Sequence, residues 1–473
     1  MEDEKMRTAH AMTAAALLAL LATGCSSGTD TAGNKPPGWF DDTKATAPLT
    51  KLSVPPSFDA TQGWDEVLSW VPQSVTTLPV TVVPRSQTVA FMQASSAGYT
   101  ISARASSGKL AWRSAPWSVP TPVAEAQASS DGPAEIPDVT GVEVDGRGYV
   151  VAYAHGLRGK DQLHEGAEIV RLAIFPADAK GESVKPLREI DVPVSADPGE
   201  IHVQATGGRL LVAWGETGFF PNRGATVNVT TGEVAVQQDA DRLLTQCRTA
   251  PMCNTSRVVA ATADGPLVAM GGGGFGIPGR YFSDTVTPEG IGAKAGFLGF
   301  WNGSVYGVAA GHALISWQAA SAGDTPVWSV HGLRTGAPQA RLVCGQEVAR
   351  SDKPIRDYPL VSSPSGQYLA AGSVAFDLKN KRGICLQGDG NRKTIAVASI
   401  QDNGTAYGGV PDASAAGTNV LAQLDLSTPS GNAKPLEAGT EVPYAHTADG
   451  AGVFLTRNDN KNVLVSVRKP ARP

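Results

Sequence analysis

The chain has 473 residues, with 39 Lys and Arg against 44 Asp and Glu and a formal net charge of −5. Charges of both signs are spread along it, with no basic stripe, which argues against a nucleic-acid partner and against a patch for anionic lipid. Glycine (53) and proline (33) are abundant and aromatic residues make up only 6%, so many short strands joined by turns are expected, not long helices.

An apolar run from Ala14 to Ala22 leads into Thr23-Gly24-Cys25-Ser26-Ser27. The run is roughly ten residues long, against ~20 for a bilayer-spanning helix, and so suits a signal segment. Met1 to Lys5 is acidic, whereas Met6-Arg7 suits the start of a signal segment, which makes Met6 the expected first residue. The run with its small residue, glycine and cysteine resembles the lipobox of bacterial lipoproteins, although Ala22 stands where leucine is commoner. The resemblance implies that residues 1–24 are a signal peptide and that Cys25 is diacylated. The rest would then be held at the outer face of the cell membrane, and two acyl chains give the stable attachment that one does not. Residues 25–37 are a polar tether of Ser, Gly, Thr, Asp and Pro that cannot bury a core. Residues 38–75, with Trp39-Phe40, Trp64 and Trp70, are expected to form an N-terminal strap with one short helix at Asp65 to Trp70.

From residue 76 to 473 one unit recurs: two alternating runs, a third run, then a turn and a last short strand. Examples are Thr88 to Met92, Tyr99 to Ala103, the turn Ser106-Ser107-Gly108-Lys109 and Leu110 to Trp112. Later copies centre on Asp145-Gly146, Gly207-Gly208, Asp264-Gly265, Asn302-Gly303, Ser365-Gly366, Asp402-Asn403-Gly404 and Asp449-Gly450. Asp-Gly and Asn-Gly pairs tolerate positive φ and match the twist of a hairpin. In the fifth copy the first strand is expected at Phe297 to Trp301. The last copy stops after its third strand, and Leu52 to Val54 or Leu78 to Val83 is expected to supply its outer one. A repeat of roughly 40–55 residues with three or four strands predicts an all-β fold, a seven- or eight-bladed β-propeller with eight preferred. Gly108-Lys109-Leu110-Ala111-Trp112 resembles the repeats of quinoprotein-like propellers. Thr231-Gly232-Glu233 keeps the turn without the tryptophan, and Val327-Trp328 keeps the tryptophan without the turn. WD40-like repeats are a close rival, and the resemblance implies no cofactor.

With Cys25 acylated, Cys247, Cys253, Cys344 and Cys385 remain, an even number that suits disulfides in an oxidising compartment. Three connectivities are open. Proximity favours Cys247 with Cys253, and elimination then pairs Cys344 with Cys385. The spacing fits no paired CxxC metal site.

Catalytic signatures are weak, and no catalytic or metal-binding residue is assigned. His164-Glu165 sits in a loop, and His202, His312 and His446 fall in strands. Ser106-Ser-Gly-Lys109 matches Ser-x-x-Lys, but without a helix start or a companion Lys-Thr-Gly. Gly271-Gly-Gly-Gly-Phe-Gly276 lacks the Lys-Ser/Thr of a phosphate loop and is expected to be a mouth loop. Asp389-Gly390-Asn391 and Asn458-Asp459-Asn460 lack the ligand pattern of a calcium loop. The function expected is a monomeric, membrane-anchored binding or scaffold module for an envelope protein or a cell-wall ligand. The alternative is an extracytoplasmic propeller enzyme (a hydrolase, lyase or quinone-dependent dehydrogenase) with residues gathered at the axis.

Overall fold

Alternating and apolar runs separated by glycine turns become strands throughout, and most pair antiparallel with their neighbours in sequence. The computed structural model describes residues 48–75, 77–123, 136–195, 199, 201–215, 221–237, 243–244, 256–270, 273–289, 291, 303–317, 325–345, 359–389, 391–411 and 420–472. The fold is all-β.

The first strand, β1 (Phe58–Leu68), belongs to the last sheet. The first sheet is β2 (Val80–Val83), β3 (Thr88–Ser95), β4 (Gly98–Ala105) and β5 (Leu110–Ser114). The second is β6 (Asp138–Val144), β7 (Arg147–Arg158), β8 (Ala167–Pro176) and β10 (Arg188–Pro193). Between β8 and β10, β9 (Gly181–Val184) crosses over to pair in parallel with β5. The third sheet is β11 (His202–Thr206), β12 (Arg209–Trp214), β13 (Arg223–Asn228) and β14 (Val234–Gln237). The fourth is β15 (Ser256–Thr262), β16 (Gly265–Met270), β17 (Phe275–Ile277) and β18 (Tyr281–Phe282).

The fifth, β19 (Gly303–Ala309), β20 (His312–Trp317), β21 (Val327–Gly332) and β22 (Pro338–Val343), joins the sixth through one parallel pair, Arg341 with Arg382. The sixth is β23 (Val361–Ser362), β24 (Tyr368–Ala371), β25 (Val374–Asp377) and β26 (Arg382–Cys385). The seventh is β27 (Ala396–Ile400), β28 (Thr405–Gly409), β29 (Leu421–Asp425) and β30 (Asn432–Pro435). The eighth is β31 (Ala445–His446), β32 (Gly452–Arg457), β33 (Val463–Pro470) and, on its outer edge, β1.

Burial follows position within each sheet. The middle strands β7 and β8 read as nearly continuous apolar runs because both of their faces are covered. The edge strand β30 exposes all four residues. The covered faces meet in chain order. Trp112 and Met92 of the first sheet pack on Phe175 and Val150 of the second. Val151 and Ile174 pack on Val212 and Trp214 of the third. Leu211 and Ala213 meet Val258 and Ala261, Phe275 meets Ile315 and Trp317, and Leu314 and Trp328 meet Leu369 and Phe376. Ile384 then meets Val397 and Leu424, and Tyr407 meets Phe58 and Phe454. The eighth sheet returns to the first through Val453 and Val465 against Val89 and Phe91. Trp112 also ties its neighbour directly: its ring stacks on Phe175 at 5.3 Å and its Nε1 donates to the Ala177 carbonyl at 3.1 Å.

Several sequence expectations are corrected. The helix expected at Asp65 to Trp70 is largely strand, because β1 lies antiparallel to β33 with Trp64 opposite Val467 and Leu68 opposite Val463. Phe58–Leu68 of the expected strap is thus the outer strand of the last sheet, in place of Leu52 to Val54. Leu78 to Val83 overlaps the first strand of the first sheet. A bulge at Gly63 hides β1 in the sequence; a Cβ there would sit 1.8 Å from the Val467 carbonyl oxygen. In the fifth sheet the hairpin turn is Ala310-Gly311, at φ 48° and 77°, so Val305 to Val308 belongs to the first strand. Asn302-Gly303 is the commoner hairpin pair and outranked it in sequence. Residues 297–301 lie outside the described residues. Of the glycine run expected as a mouth loop, Phe275 and Gly276 form strand β17, with the Phe275 ring in the core.

Cys344 and Cys385 are bonded and join the ends of β22 and β26, beside the parallel pair that links the fifth and sixth sheets. Cys25, Cys247 and Cys253 lie outside the described residues. The bond spans 41 positions, and closing a loop of that length stabilises by about 4 kcal/mol in the chain-entropy model. Reduction with dithiothreitol is expected to lower the unfolding free energy obtained from urea denaturation by at least that amount. A double Cys344→Ser, Cys385→Ser variant is expected to lose about that amount without any reductant.

Candidate functional site

The first strands of the sheets lie against one another: β2 against β6, β6 against β11, β11 against β15, β15 against β19, β23 against β27 and β27 against β31. Such close approach requires small residues. A Cβ at Gly141 in β6 would stand 2.8 Å from the Val82 carbonyl oxygen in β2. Residues of β2, β6, β11, β23, β27 and β31, with Val410, Pro411 and Val420 between β28 and β29, line a cavity of about 1160 Å³. Seven of the eight sheets contribute lining residues and the fourth does not. On that side Gln204 Nε2 of β11 donates to the Val308 carbonyl of β19 at 3.1 Å. Arg257 of β15 donates to the Val305 carbonyl at 2.9 Å, and its burial pushes the guanidinium pKa down.

The wall is nearly neutral. Its charged side chains are Arg85, Glu143 and Asp145. Arg85 Nε lies 3.3 Å from Glu143 Oε2, and the Arg85 backbone N–H donates to Oε1 at 2.9 Å. Serines, threonines, small aliphatic residues and Tyr444 supply much of the remainder. Tyr444 keeps 55% of its surface accessible, while burial and the nearby Asp138 carboxylate push its phenol pKa up. A ring that is both crowded and solvent-reachable stands in a recess. Asp138, at the start of β6, is buried; its own pKa is raised by desolvation, against hydrogen bonds from the Val139 N–H, Tyr153 and Thr77. The Tyr153 hydroxyl donates to Asp138 Oδ2 at 3.0 Å.

One wall contact has the residue types of nucleophilic catalysis: Ser399 Oγ and His446 Nε2 share a hydrogen bond at 3.2 Å. The imidazole stacks on Phe58 at 6.0 Å and tilts against Tyr407 at 5.8 Å, and burial drives its pKa down to about 3. Burial thus disfavours the protonated ring, which packs here as a neutral hydrogen-bonding group.

The residues singled out in sequence are scattered. Ser106 to Lys109 is the β4–β5 turn, and Ser106 Oγ donates to Asp449 Oδ2 at 2.6 Å, tying the first sheet to the last. His164 lies in an exposed loop with its Nδ1 2.8 Å from Asp161 Oδ1. His202 and His312 are strand residues of different sheets. Asp389 accepts the N–H groups of Asn391 and Arg392, and Asn458 accepts that of Asn462, as turn residues do. Among the described residues no group of three His, Cys, Asp or Glu side chains is placed to hold a metal. No described helix is long and apolar enough to cross a membrane. Sequence reasoning placed Tyr444 and Ala398 in strand runs but gave neither a role. The available signal was the short polar alternation through Tyr444 and His446 at the start of a unit.

No family model and no curated protein matches the chain. Among solved structures it is similar to a eukaryotic initiation factor (10% identity, 81% of this chain and 91% of that one, TM-score 0.33). It is also similar to an uncharacterized protein of Listeria monocytogenes (8%, 81% and 98%, TM-score 0.34) and to the Hsv2 protein of Kluyveromyces lactis (8%, 83% and 98%, TM-score 0.28).

Proposed function

We propose that the body is an eight-bladed β-propeller, tethered by an acylated Cys25 to the outer face of a membrane, that captures a ligand or envelope partner in its axial cavity. The blade count is supported by the eight sheets that pack in chain order and by the return of the eighth onto the first. The observation that carries the binding reading is the cavity itself. At about 1160 Å³ it slightly exceeds the usual ~300–1000 Å³ of small-molecule sites, and its wall gathers one or two short segments from each of seven sheets. The enzyme alternative lacks support at its best constellation, since Ser399 and His446 are both buried.

Two measurements test the proposal. Cys25→Ser is expected to release the protein from the membrane fraction, and the N-terminal peptide of the native protein is expected to carry a diacylglycerol mass. Ala398→Trp places an indole in the cavity, because Ala398 is an exposed residue of its wall. This change is expected to abolish crosslinked capture of envelope material. Leu163→Ala, on a loop outside the cavity where Leu163 is 89% exposed, is expected to leave capture intact. Retention of the Cys25→Ser chain at the membrane, or equal capture by both variants, overturns the respective half.

A further inference from the structure

We infer that Asn403 is a site of spontaneous deamidation, in the turn that joins β27 to β28. The reaction needs only water and does not depend on what the cavity binds.

The reacting atoms are neighbours in the chain. The main-chain nitrogen of Gly404 attacks Cγ of Asn403 and forms the new C–N bond of a cyclic imide. The side-chain nitrogen leaves as ammonia, taking the proton that Gly404 gives up. Water then opens the imide at either carbonyl. One product is aspartate. The other is isoaspartate, in which the main chain runs through the former side chain.

Three features of the fold favour the step here. Glycine leaves the attacking nitrogen unshielded, and the turn requires it. Gly404 has φ 86°, in the left-handed region, and a Cβ there would stand 3.0 Å from Ser427 N and from the Tyr368 hydroxyl. Asn403 is exposed, so water reaches its side chain and ammonia escapes. The Thr405 N–H donates to Asn403 Oδ1 at 2.9 Å. That hydrogen bond closes a ring containing Gly404 and draws electron density away from Cγ. One contact opposes the step: the Gly404 N–H donates to the Gln401 carbonyl at 3.0 Å and must first be released. Asp402 and Asn403 at the tip are both exposed, and an opening of that kind is local.

The consequence falls where the sixth and seventh sheets meet. Asp402 Oδ1 accepts the N–H of Ser365, a cavity residue, at 2.8 Å. The aspartate product keeps an acceptor for Thr405 and sets a second negative charge beside Asp402. The isoaspartate product adds a main-chain carbon to a tight turn. It breaks the register of the Gln401 N–H to Thr405 and Leu426 N–H to Gly404 hydrogen bonds, at 2.8 and 2.9 Å.

The test is peptide mapping by mass spectrometry of the full chain, kept folded in mildly alkaline buffer for increasing times. The Asn403 peptide is expected to gain the mass difference between an amide and an acid. Its isoaspartate fraction is expected to accept a methyl group from protein isoaspartyl methyltransferase. Asn391 is the internal comparator: it is also exposed, but the side chain of Arg392 shields the next nitrogen, so its peptide is expected to convert far more slowly. Asn302-Gly303, the other Asn-Gly pair, is mapped as a separate peptide. Asn403→Ser is expected to lose the signal and to keep its melting temperature on ageing. Asn403→Asp is expected to melt with the fresh parent chain, and the isoaspartate-enriched fraction of aged parent chain to melt lower.

An Asn403 peptide that stays unchanged in the folded chain, or that converts no faster than Asn391, overturns the assignment. An isoaspartate-enriched fraction that melts with the fresh chain, or an Asn403→Ser chain that loses stability equally on ageing, overturns the consequence for the sixth and seventh sheets.

Discussion

Arg468→Ala is expected to cost about 3–5 kcal/mol of stability, the cost of breaking a buried ion pair by removing one partner. Arg468 lies in β33 and is 0% exposed. Its guanidinium reaches Asp65 Oδ1 at 2.7 Å and Oδ2 at 3.3 Å and donates to the carbonyls of Trp64 and Thr50. Every one of these partners belongs to the N-terminal segment that carries β1. Burial pushes the Asp65 carboxyl up, yet hydrogen bonds from Arg468 and the Thr50 N–H outweigh it and hold the pKa below its usual value. Without Arg468 the carboxylate keeps the desolvation cost and loses its main compensation. The urea midpoint measures the loss, and a double Arg468→Met, Asp65→Leu variant is expected to recover most of it. A single-variant cost under ~1 kcal/mol, the range of an exposed pair, would show that closure does not depend on this contact.

Acid is expected to destabilise the protein well above the carboxylate range. His331 is buried in a closed chain of hydrogen bonds. Trp317 Nε1 donates to Ser329 Oγ at 2.6 Å, Ser329 Oγ lies 2.7 Å from His331 Nε2, and His331 Nδ1 lies 2.6 Å from the Gly336 carbonyl. A neutral ring fits when Ser329 donates to Nε2 and Nδ1–H donates to Gly336. Burial depresses the His331 pKa to about 4 and that of His446 to about 3.

In the unfolded chain both imidazoles titrate near 6.5, so between that pH and the folded values the unfolded state binds more protons. Stability from these groups is therefore complete above pH ~6.5 and is lost as pH falls, by about 1.4 kcal/mol per pH unit for each histidine. Asp138, whose pKa is raised by burial, acts in the opposite sense and offsets part of this loss. Denaturant midpoints between pH 7 and 5 measure the slope. His446→Phe is expected to reduce it by less than half, because burial also lowers the His312 pKa, while an apolar ring fills the space between Phe58 and Tyr407. An unchanged slope would assign the acid sensitivity to other groups.

The sheets were legible where turn chemistry and alternation agreed. Asp145-Gly146, at φ 48° and 79°, and Ser106 to Lys109 both mark real hairpins. Legibility failed where a long-range demand overrode local pattern. The alternation of β1 breaks at the Gly63 bulge, and its partner lies about 400 positions away, so no window of sequence contains the pair. Ala310 accepts a left-handed conformation that sequence reasoning gave to Asn302-Gly303. Strand β9 pairs with a sheet other than that of its sequence neighbours, which no local signal encodes. The cavity was less legible still. It is made of short runs of ordinary serines, glycines, prolines, alanines and valines from seven sheets, and only their convergence gives them meaning. His446 and Ser399 are 47 positions apart and carry no motif.

The pairing of Phe58 with Pro470 also dictates an order of events in biosynthesis. Strand β1 waits unpaired until β33, about 400 positions further on, has been synthesised, and folding that depends on such distant contacts is slow. Loss of β33 leaves β1 without its mate and exposes a bare sheet edge, a template for aggregation.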